Sequence, residues 1–225
     1  LVLYDTEMEG KTGIGYGVGA NGTVVKTEDA GDSWDNQNTG QTNDLFAVAF
    51  TSISEGVAVG ANGTIIRTIN GGEDHFDAPV SSPTTTQTLN EVAWAGNTHA
   101  YIVGDGGVIL RTINKGINWD NVTTNAVGGG TLSIGGNLKA ISFADERVGY
   151  VAGADGKVYR FERLYDGTEE WKDVSIVATD KTINDIYFVD YERGYAVGDE
   201  GVVFKTVNGG DTWTSETDIY DGNAN

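Results

Sequence analysis

The chain has 225 residues, among them 33 glycines, 2 prolines and no cysteine, and a formal net charge of −19. Without cysteine there is no disulfide staple, thiolate nucleophile or thiolate metal ligand. No run of 18 apolar residues offers a membrane span, and so acidic a surface repels nucleic acid and anionic lipid.

Abundant Gly beside Thr, Val, Ile and aromatics is the composition of short strands joined by tight turns. In chain order, residues 1–4 read as the end of a strand, followed by the turn Gly19-Ala20-Asn21-Gly22, a strand over 23–27, and an outer strand beginning near Trp34. The second copy has an apolar run over 45–50, a Gly-plus-aliphatic run over 56–59, the turn Gly60-Ala61-Asn62-Gly63, a strand over 64–68, and Phe76. The third turn is Gly104-Asp105-Gly106-Gly107, with a strand over 108–112 and Trp119; the fourth is Gly153-Ala154-Asp155-Gly156, with Trp171. The fifth copy runs from an apolar strand over 185–189 through Gly198-Asp199-Glu200-Gly201 to a strand over 202–206 and Trp213.

The turn recurs at the period of a four-stranded propeller blade. The expected fold is therefore all-β: a single domain, 1–225, forming a five-bladed β-propeller with four antiparallel strands, A to D, per blade. The blades fall at about 1–37, 44–78, 88–121, 137–175 and 183–217. Neither end has a strand to spare, so the ring is expected to close by packing the first blade against the last. The chain opens on Leu1 rather than Met and is expected to be a processed or excised piece.

The C–D turns carry a motif. Thr27-Glu28-Asp29-Ala30-Gly31-Asp32-Ser33-Trp34 and Thr206-Val207-Asn208-Gly209-Gly210-Asp211-Thr212-Trp213 are full copies. Thr112-Ile113-Asn114-Lys115-Gly116-Ile117-Asn118-Trp119 is a looser one. The second copy keeps Asn70-Gly71-Gly72 and loses the Trp, and the fourth loses the box. These residues resemble the Asp-box, or BNR, propellers, and the fuller repeat is most similar to that of the photosystem II stability and assembly factor family. The resemblance implies the propeller fold and a structural part for Asp29, Trp34, Asn70, Asn114, Trp119, Asn208 and Trp213. Asp or Asn accepts backbone N–H bonds within the turn, and Trp packs over the hairpin. Assembly factors of that family have more blades and an arginine-rich patch. Here there are five repeats and six arginines, so a photosynthetic role is not carried over.

Sialidases also use Asp-box propellers, with an arginine triad gripping the substrate. Here Lys26, Arg67, Arg111, Arg160 and Lys205 share one strand C position, so the repeat points them to five separate places. Each is expected to lay its stem along a blade and pair with a nearby carboxylate. His75 and His99 are read into a C–D turn and an A–B turn, without a His or Cys partner at ligand spacing. No nucleophile elbow is present. The chain is accordingly expected not to be an enzyme, with no catalytic residue, cofactor or metal assigned. Asn21, Asn62, Asp105, Asp155, Asp199 and Glu200 bring the oxygen ligands that Ca²⁺ or Na⁺ takes, but each turn supplies only one or two.

The D–A connections are irregular, and variable loops on a rigid scaffold are where recognition resides. Those over 77–90 and 120–138 are rich in Thr, Ser, Asn and Gly. Ser81, Thr85, Gln87, Asn125, Thr131 and Asn137 are the candidate ligand-face residues. The expected function is non-catalytic recognition of a protein or glycan receptor, outside the cell or on a virion surface. The carboxylate density predicts a high-salt setting, where self-repulsion is screened. An assembly or scaffold factor is the alternative, and a glycoside hydrolase a further one.

Overall fold

The computed structural model describes residues 2–8, 12–73, 75–77, 84–122 and 134–216. The chain forms two compact units, Leu1–Thr123 and Thr124–Asn225.

The first unit holds three antiparallel sheets. Sheet 1 pairs β1 (Leu3–Met8), β2 (Gly15–Gly19), β3 (Val24–Thr27) and β4 (Asp35–Asn36) in sequence order. Sheet 2 pairs β5 (Leu45–Phe50), β6 (Gly56–Gly60) and β7 (Ile65–Thr68). Sheet 3 pairs β8 (Leu89–Ala95), β9 (His99–Gly104), β10 (Ile109–Thr112) and β11 (Asp120–Asn121). The second unit holds sheet 4, with β12 (Leu138–Phe143), β13 (Val148–Gly153), β14 (Val158–Arg163) and β15 (Glu169–Asp173). Sheet 5 has β16 (Ile183–Phe188), β17 (Gly194–Gly198), β18 (Val203–Thr206) and β19 (Thr214–Ser215). Strand order and pairing are those of propeller blades, and among the described residues no α-helix occurs.

Two expectations need correction. Residues 1–4 are not the end of a strand A: the strand runs Leu3–Met8, because polar Asp5 and Glu7 concealed its alternation. Among the described residues sheet 2 has three strands rather than four. Its outer element is a single bridge, with Arg67 and Asp77 exchanging both backbone bonds at 2.7 Å.

A bulge opens the first strand of every sheet. The pairing register slips between Leu3 and Asp5, Leu45 and Ala47, Leu89 and Glu91, Leu138 and Ala140, and Ile183 and Asp185. The bulge swings a carbonyl onto the glycine that ends the second strand. A Cβ on Gly60 would stand 2.0 Å from the Asp44 oxygen, so only glycine fits there. The next turn has a left-handed residue at its centre, Asn21, Asn62, Gly106, Asp155 or Glu200, with φ between 56° and 68°. Asn, Asp and Gly reach that region at low cost.

Within each unit the core lies between consecutive sheets. Between sheets 1 and 2, the buried Tyr16 ring stacks on Phe50 at 3.7 Å and 11°. Phe50 in turn lies over Gly56, where a Cβ would meet the ring at 2.6 Å. The Tyr16 hydroxyl donates to the carbonyls of Ile53 (3.0 Å) and Gly71 (3.2 Å). Sheets 4 and 5 repeat the device. Tyr150 stacks on Phe188 at 3.3 Å and 2°, Phe188 lies over Gly194, and the hydroxyl donates to Tyr191 O at 3.1 Å. Burial pushes the Tyr150 phenol up to about 12, so it remains a proton donor throughout the neutral range.

First strands are sheet edges, and edge N–H groups need partners. Asp5 accepts from Val48 N at 2.9 Å and Glu7 from Phe50 N at 2.5 Å. Ser142 accepts from Phe188 N at 3.2 Å in the second unit. Burial raises the Asp5 pKa, with the N–H bonds from Val48 and Thr6 opposing it.

Candidate protein-binding surface

The turns after the second strands and the connections entering the first strands lie side by side in each unit. Gly63 N donates to Gln87 O and Ala61 N to Asp44 O, each at 2.9 Å. In the second unit, Ala154 N donates to Asn137 O and Gly156 N to Lys181 O, both at 2.9 Å. Gly63 shows why the contact is close: its φ is +69°, and a Cβ would meet Thr85 O at 2.1 Å.

Exposed and half-buried amides and carboxylates line these turns. In the first unit Asp44 accepts from Asn21 N at 2.8 Å, and Asn43 links Thr64 Oγ1 (2.9 Å) to Asn62 (3.2 Å). Asn90 donates to Asp105 at 2.9 Å. In the second unit Asn184 donates to Asp199 at 2.7 Å, and Lys181 pairs with Glu200 at 2.9 Å. The result in each unit is a polar rim of paired donors and acceptors, held by backbone bonds.

Three expected ligand-face residues belong to the rim. Gln87 is exposed, with its backbone on Gly63 and its amide beside Gly106. Thr85 accepts from Gln87 N at 3.1 Å, and Asn137 is exposed at the fourth turn. The structure keeps Thr85 and Gln87 in one unit and Asn137 in the other. Ser81, Asn125 and Thr131 lie outside the described residues. Sequence reasoning missed Asn43, Asp44, Asn90, Lys181 and Asn184. Asn90 and Asn184 carry a readable signal: each is the bulged residue just after the first apolar residue of its strand, beside the turn.

The Asp boxes are self-contained hydrogen-bond knots. In the first, Asp29 accepts from Thr27 Oγ1 (2.8 Å), Ser33 N (2.8 Å) and Ser33 Oγ (2.6 Å), while Thr27 accepts from Gly31 N (2.9 Å). Asn114 and Asn208 accept from the Thr two residues before (3.0 Å each) and from the N–H four residues on (3.0 and 2.9 Å). Asn70 accepts from Thr68 at 3.0 Å, and Phe76 fills the Trp position, buried. Trp119 is buried, Trp34 is partly exposed, and Trp213 donates to Val174 O at 2.9 Å.

The Ser33 hydroxyl and N–H, then Thr27, hold the Asp29 carboxyl at about 2. A carboxylate lowered on folding stabilises the fold above its ordinary value near 4, and that contribution fades as pH falls from about 4 toward 2. Asp29→Asn should therefore fold, since Asn fills the equivalent place in three other boxes, but with a lower thermal midpoint at neutral pH. The gap from the parent should shrink between about pH 4 and pH 2. A gap that stays constant down to pH 2 would count against this account.

The strand C cations pair locally. Lys26 meets Glu28 at 2.7 Å, Arg160 meets Glu162 at 3.1 Å, and Arg111 lies 4.0 Å from Asp120. Arg67 Nε donates to Lys115 O at 2.8 Å, and Lys205 sits 5.9 Å over the Tyr195 ring. His75 pairs with Asp77 at 2.8 Å; His99 opens β9 rather than lying in a turn, and shares a 3.0 Å bond with Thr98. Among the described residues no three His, Asp or Glu gather as a metal site would require. A cleft of about 420 Å³ in the second unit is lined by Lys157, Lys172, Asp173, Ser175 and Asp211, and its charges cancel in pairs, Lys172 with Asp211 and Lys157 with Asp173.

The model of the photosynthesis system II assembly factor YCF48 matches residues 38–133 and 165–225. The chain belongs to this family. The gap in the YCF48 match, 134–164, covers much of sheet 4. Just beyond the gap, between β14 and β15, the Asp box is replaced by a hairpin in which Asp166 accepts from Thr168 N and Oγ1 (2.9 and 2.6 Å). Among solved structures, YCF48 bound to D1 peptide has 16% identity and a TM-score of 0.64, covering 96% of this chain and 82% of that one. YCF48 from Cyanidioschyzon merolae has 19% identity and a TM-score of 0.50, covering 96% and 84%. An ancestral GH74 enzyme has 16% identity and a TM-score of 0.73, covering 96% of this chain but only 31% of its own. At such identities the likeness is one of fold. No curated protein matches the chain in sequence.

Proposed function

We propose that the chain is a non-catalytic binding module, a five-bladed β-propeller whose polar turn rim holds a segment of another protein, as an assembly factor does. Membership of the YCF48 family carries this reading. One solved YCF48 is bound to D1 peptide, and a peptide-binding role comes to this chain by that analogy. The rim suits it: paired amides and carboxylates offer both donors and acceptors to an extended main chain. We read the chain as no enzyme, because the strand C cations are engaged within their own neighbourhoods.

Panning a random peptide library on phage against the protein tests this, with a glycan array in parallel. Peptides should be retained, and retention should be lost in an Asn62→Ala, Gln87→Ala double variant of unchanged thermal midpoint. Failure to retain any peptide, or retention indifferent to both changes, would refute the reading. Glycan binding lost in the same variant would favour the glycan alternative instead.

The net charge of −19 supports the reading of a high-salt setting. The thermal midpoint should rise steadily from low salt to molar NaCl as self-repulsion is screened. A flat profile would sink the salt reading.

A further inference from the structure

The cleft between sheets 4 and 5 lies wholly within the second unit. Its wall is the chain that leaves β15. Val174 N donates to Val158 O at 2.9 Å, Ile176 N to Gly156 O at 2.8 Å, and a turn follows with Thr179 N on Ile176 O at 3.3 Å. From sheet 5, Trp213 Nε1 donates to Val174 O at 2.9 Å. Gly210 leaves room at the floor, since a Cβ there would meet Val174 Cγ2 at 3.0 Å. The cleft of about 420 Å³ continues past Ser175, Val177 and Asp211 into a second hollow of about 250 Å³ beside Trp213. Walls fixed by backbone bonds are organised before any ligand arrives.

The polar groups here are only half engaged. Lys172 Nζ meets Asp211 Oδ1 at 2.6 Å, bridging the two sheets. Asp173 Oδ1 accepts the N–H and the hydroxyl of Ser175. Lys157 Nζ stands 3.8 Å from Asp173 Oδ2, beyond hydrogen-bond reach. Among the described residues no hydrogen bond engages the Lys157 ammonium or the second oxygen of either carboxylate. Lys172 holds the Asp211 carboxyl below its ordinary range. At Asp173 burial pushes upward, but Ser175 and then Lys157 outweigh it, and that carboxyl is lowered too. Two ammoniums and two carboxylates thus share the cleft without net charge, with donors and acceptors to spare.

An ionic ligand would meet its own sign as often as the opposite one, so the cleft suits a neutral one. The ligand must also donate and accept side by side, and a hydroxyl does both at one atom. Between Lys157 and Asp173 a hydroxyl would accept from the ammonium and donate to Oδ2, closing the 3.8 Å gap. A second hydroxyl would donate to Asp211 Oδ2. Such charge-assisted bonds are the strong ones. Val174, the exposed Val177 and Trp213 offer apolar surface to the C–H faces between the hydroxyls. A few aimed polar groups over an apolar lining is the make-up of a small-molecule site. We propose that this cleft binds a neutral sugar. None of the rim side chains lines it, so the site is separate from the peptide-binding rim.

Titration of the isotope-labelled full chain with maltose, cellobiose, lactose and mannobiose, followed by amide chemical shifts, tests this. At least one sugar should cause saturable shifts at residues 173–177 and 210–213. Lys157→Met should weaken that binding about tenfold or more, through loss of a hydrogen bond to a charged group. Its thermal midpoint should stay near the parent's, because the ammonium is half exposed and makes no hydrogen bond in the fold. Val177→Asp, at an exposed turn position, should also weaken binding and is a second probe should the first variant fold poorly. The Asn62→Ala, Gln87→Ala variant should bind the sugar as the parent does, which keeps this site's test apart from the rim's. Glucuronate and glucosamine, each carrying a charge, should bind more weakly than the neutral sugar. No saturable shift with any of the sugars, binding indifferent to Lys157→Met, or charged sugars held as tightly as neutral ones would overturn the proposal.

Discussion

Replacing Tyr16 with Ala is expected to destabilise the protein by about 3–5 kcal/mol, the cost of deleting a buried aromatic side chain. The side chain is fully buried, stacked on Phe50, and bonded through its hydroxyl to Ile53 O and Gly71 O. Its removal leaves a cavity between sheets 1 and 2 and strips two carbonyls of a donor. Tyr16→Phe keeps the stack and loses only the hydroxyl, so about 1 kcal/mol is expected. Tyr195→Ala, at the equivalent position in sheet 5 where the ring is 42% exposed, should fall within about 1 kcal/mol of the parent. Urea unfolding of the three variants measures all of this. Equal losses at Tyr16 and Tyr195 would show that the stacking site is not what stabilises the sheet pair.

Gly60→Ala is the second large effect. The added methyl carbon would sit 2.0 Å from Asp44 O and 2.7 Å from the Leu45 Cα, far inside van der Waals contact. The obstacle is backbone rather than a side chain that can swing away. Either the bulge at Leu45 flattens, moving the rest of β5 to the wrong face, or the strand pair separates. About 3 kcal/mol or more should be lost. Gly135→Ala is the control, since a Cβ there meets nothing within 4 Å and its φ is ordinary; it should change stability by no more than about 0.5 kcal/mol. A Gly60→Ala protein as stable as the parent would mean that the bulge is not a fixed feature of the blade. The same test at Gly153, where Asn137 O is 2.0 Å away, asks whether the second unit obeys the same rule.

These predictions separate what was legible in the sequence from what was not. The repeat and its turns could be read, because the chemistry that makes them is local. Asn62 and Gly63 at left-handed φ, or Thr68, Asn70 and Gly72 tied within five residues, need no knowledge of anything beyond the turn. The second and fifth first strands were legible from the apolar runs over 45–50 and 185–189. The opening strand was not, since Asp5 and Glu7 look like solvent-facing positions until Val48 N and Phe50 N appear beside them. Of the rim, Thr85, Gln87 and Asn137 were found as polar loop residues. Asn90 and Asn184 were passed over: their place just after the first apolar residue of a strand can be read, but the partner that the bulge turns each toward, Asp105 or Asp199, becomes visible only in the folded sheet.

The sequence by itself determined the blade: its period, its strand order, its turn chemistry and its family. The tertiary structure decided how blades meet. Tyr16 and Tyr195 stand in the same local pattern, Gly-Tyr followed by small or branched residues, yet one is sealed and the other exposed. Nothing within the repeat distinguishes them. A side chain's environment across a sheet interface is set by residues some forty positions away, and only packing brings those together. For the same reason the turn glycines could be read as turn-formers, whereas the close approach of the Asp44 carbonyl to Gly60 became visible only once the bulged strand was in place.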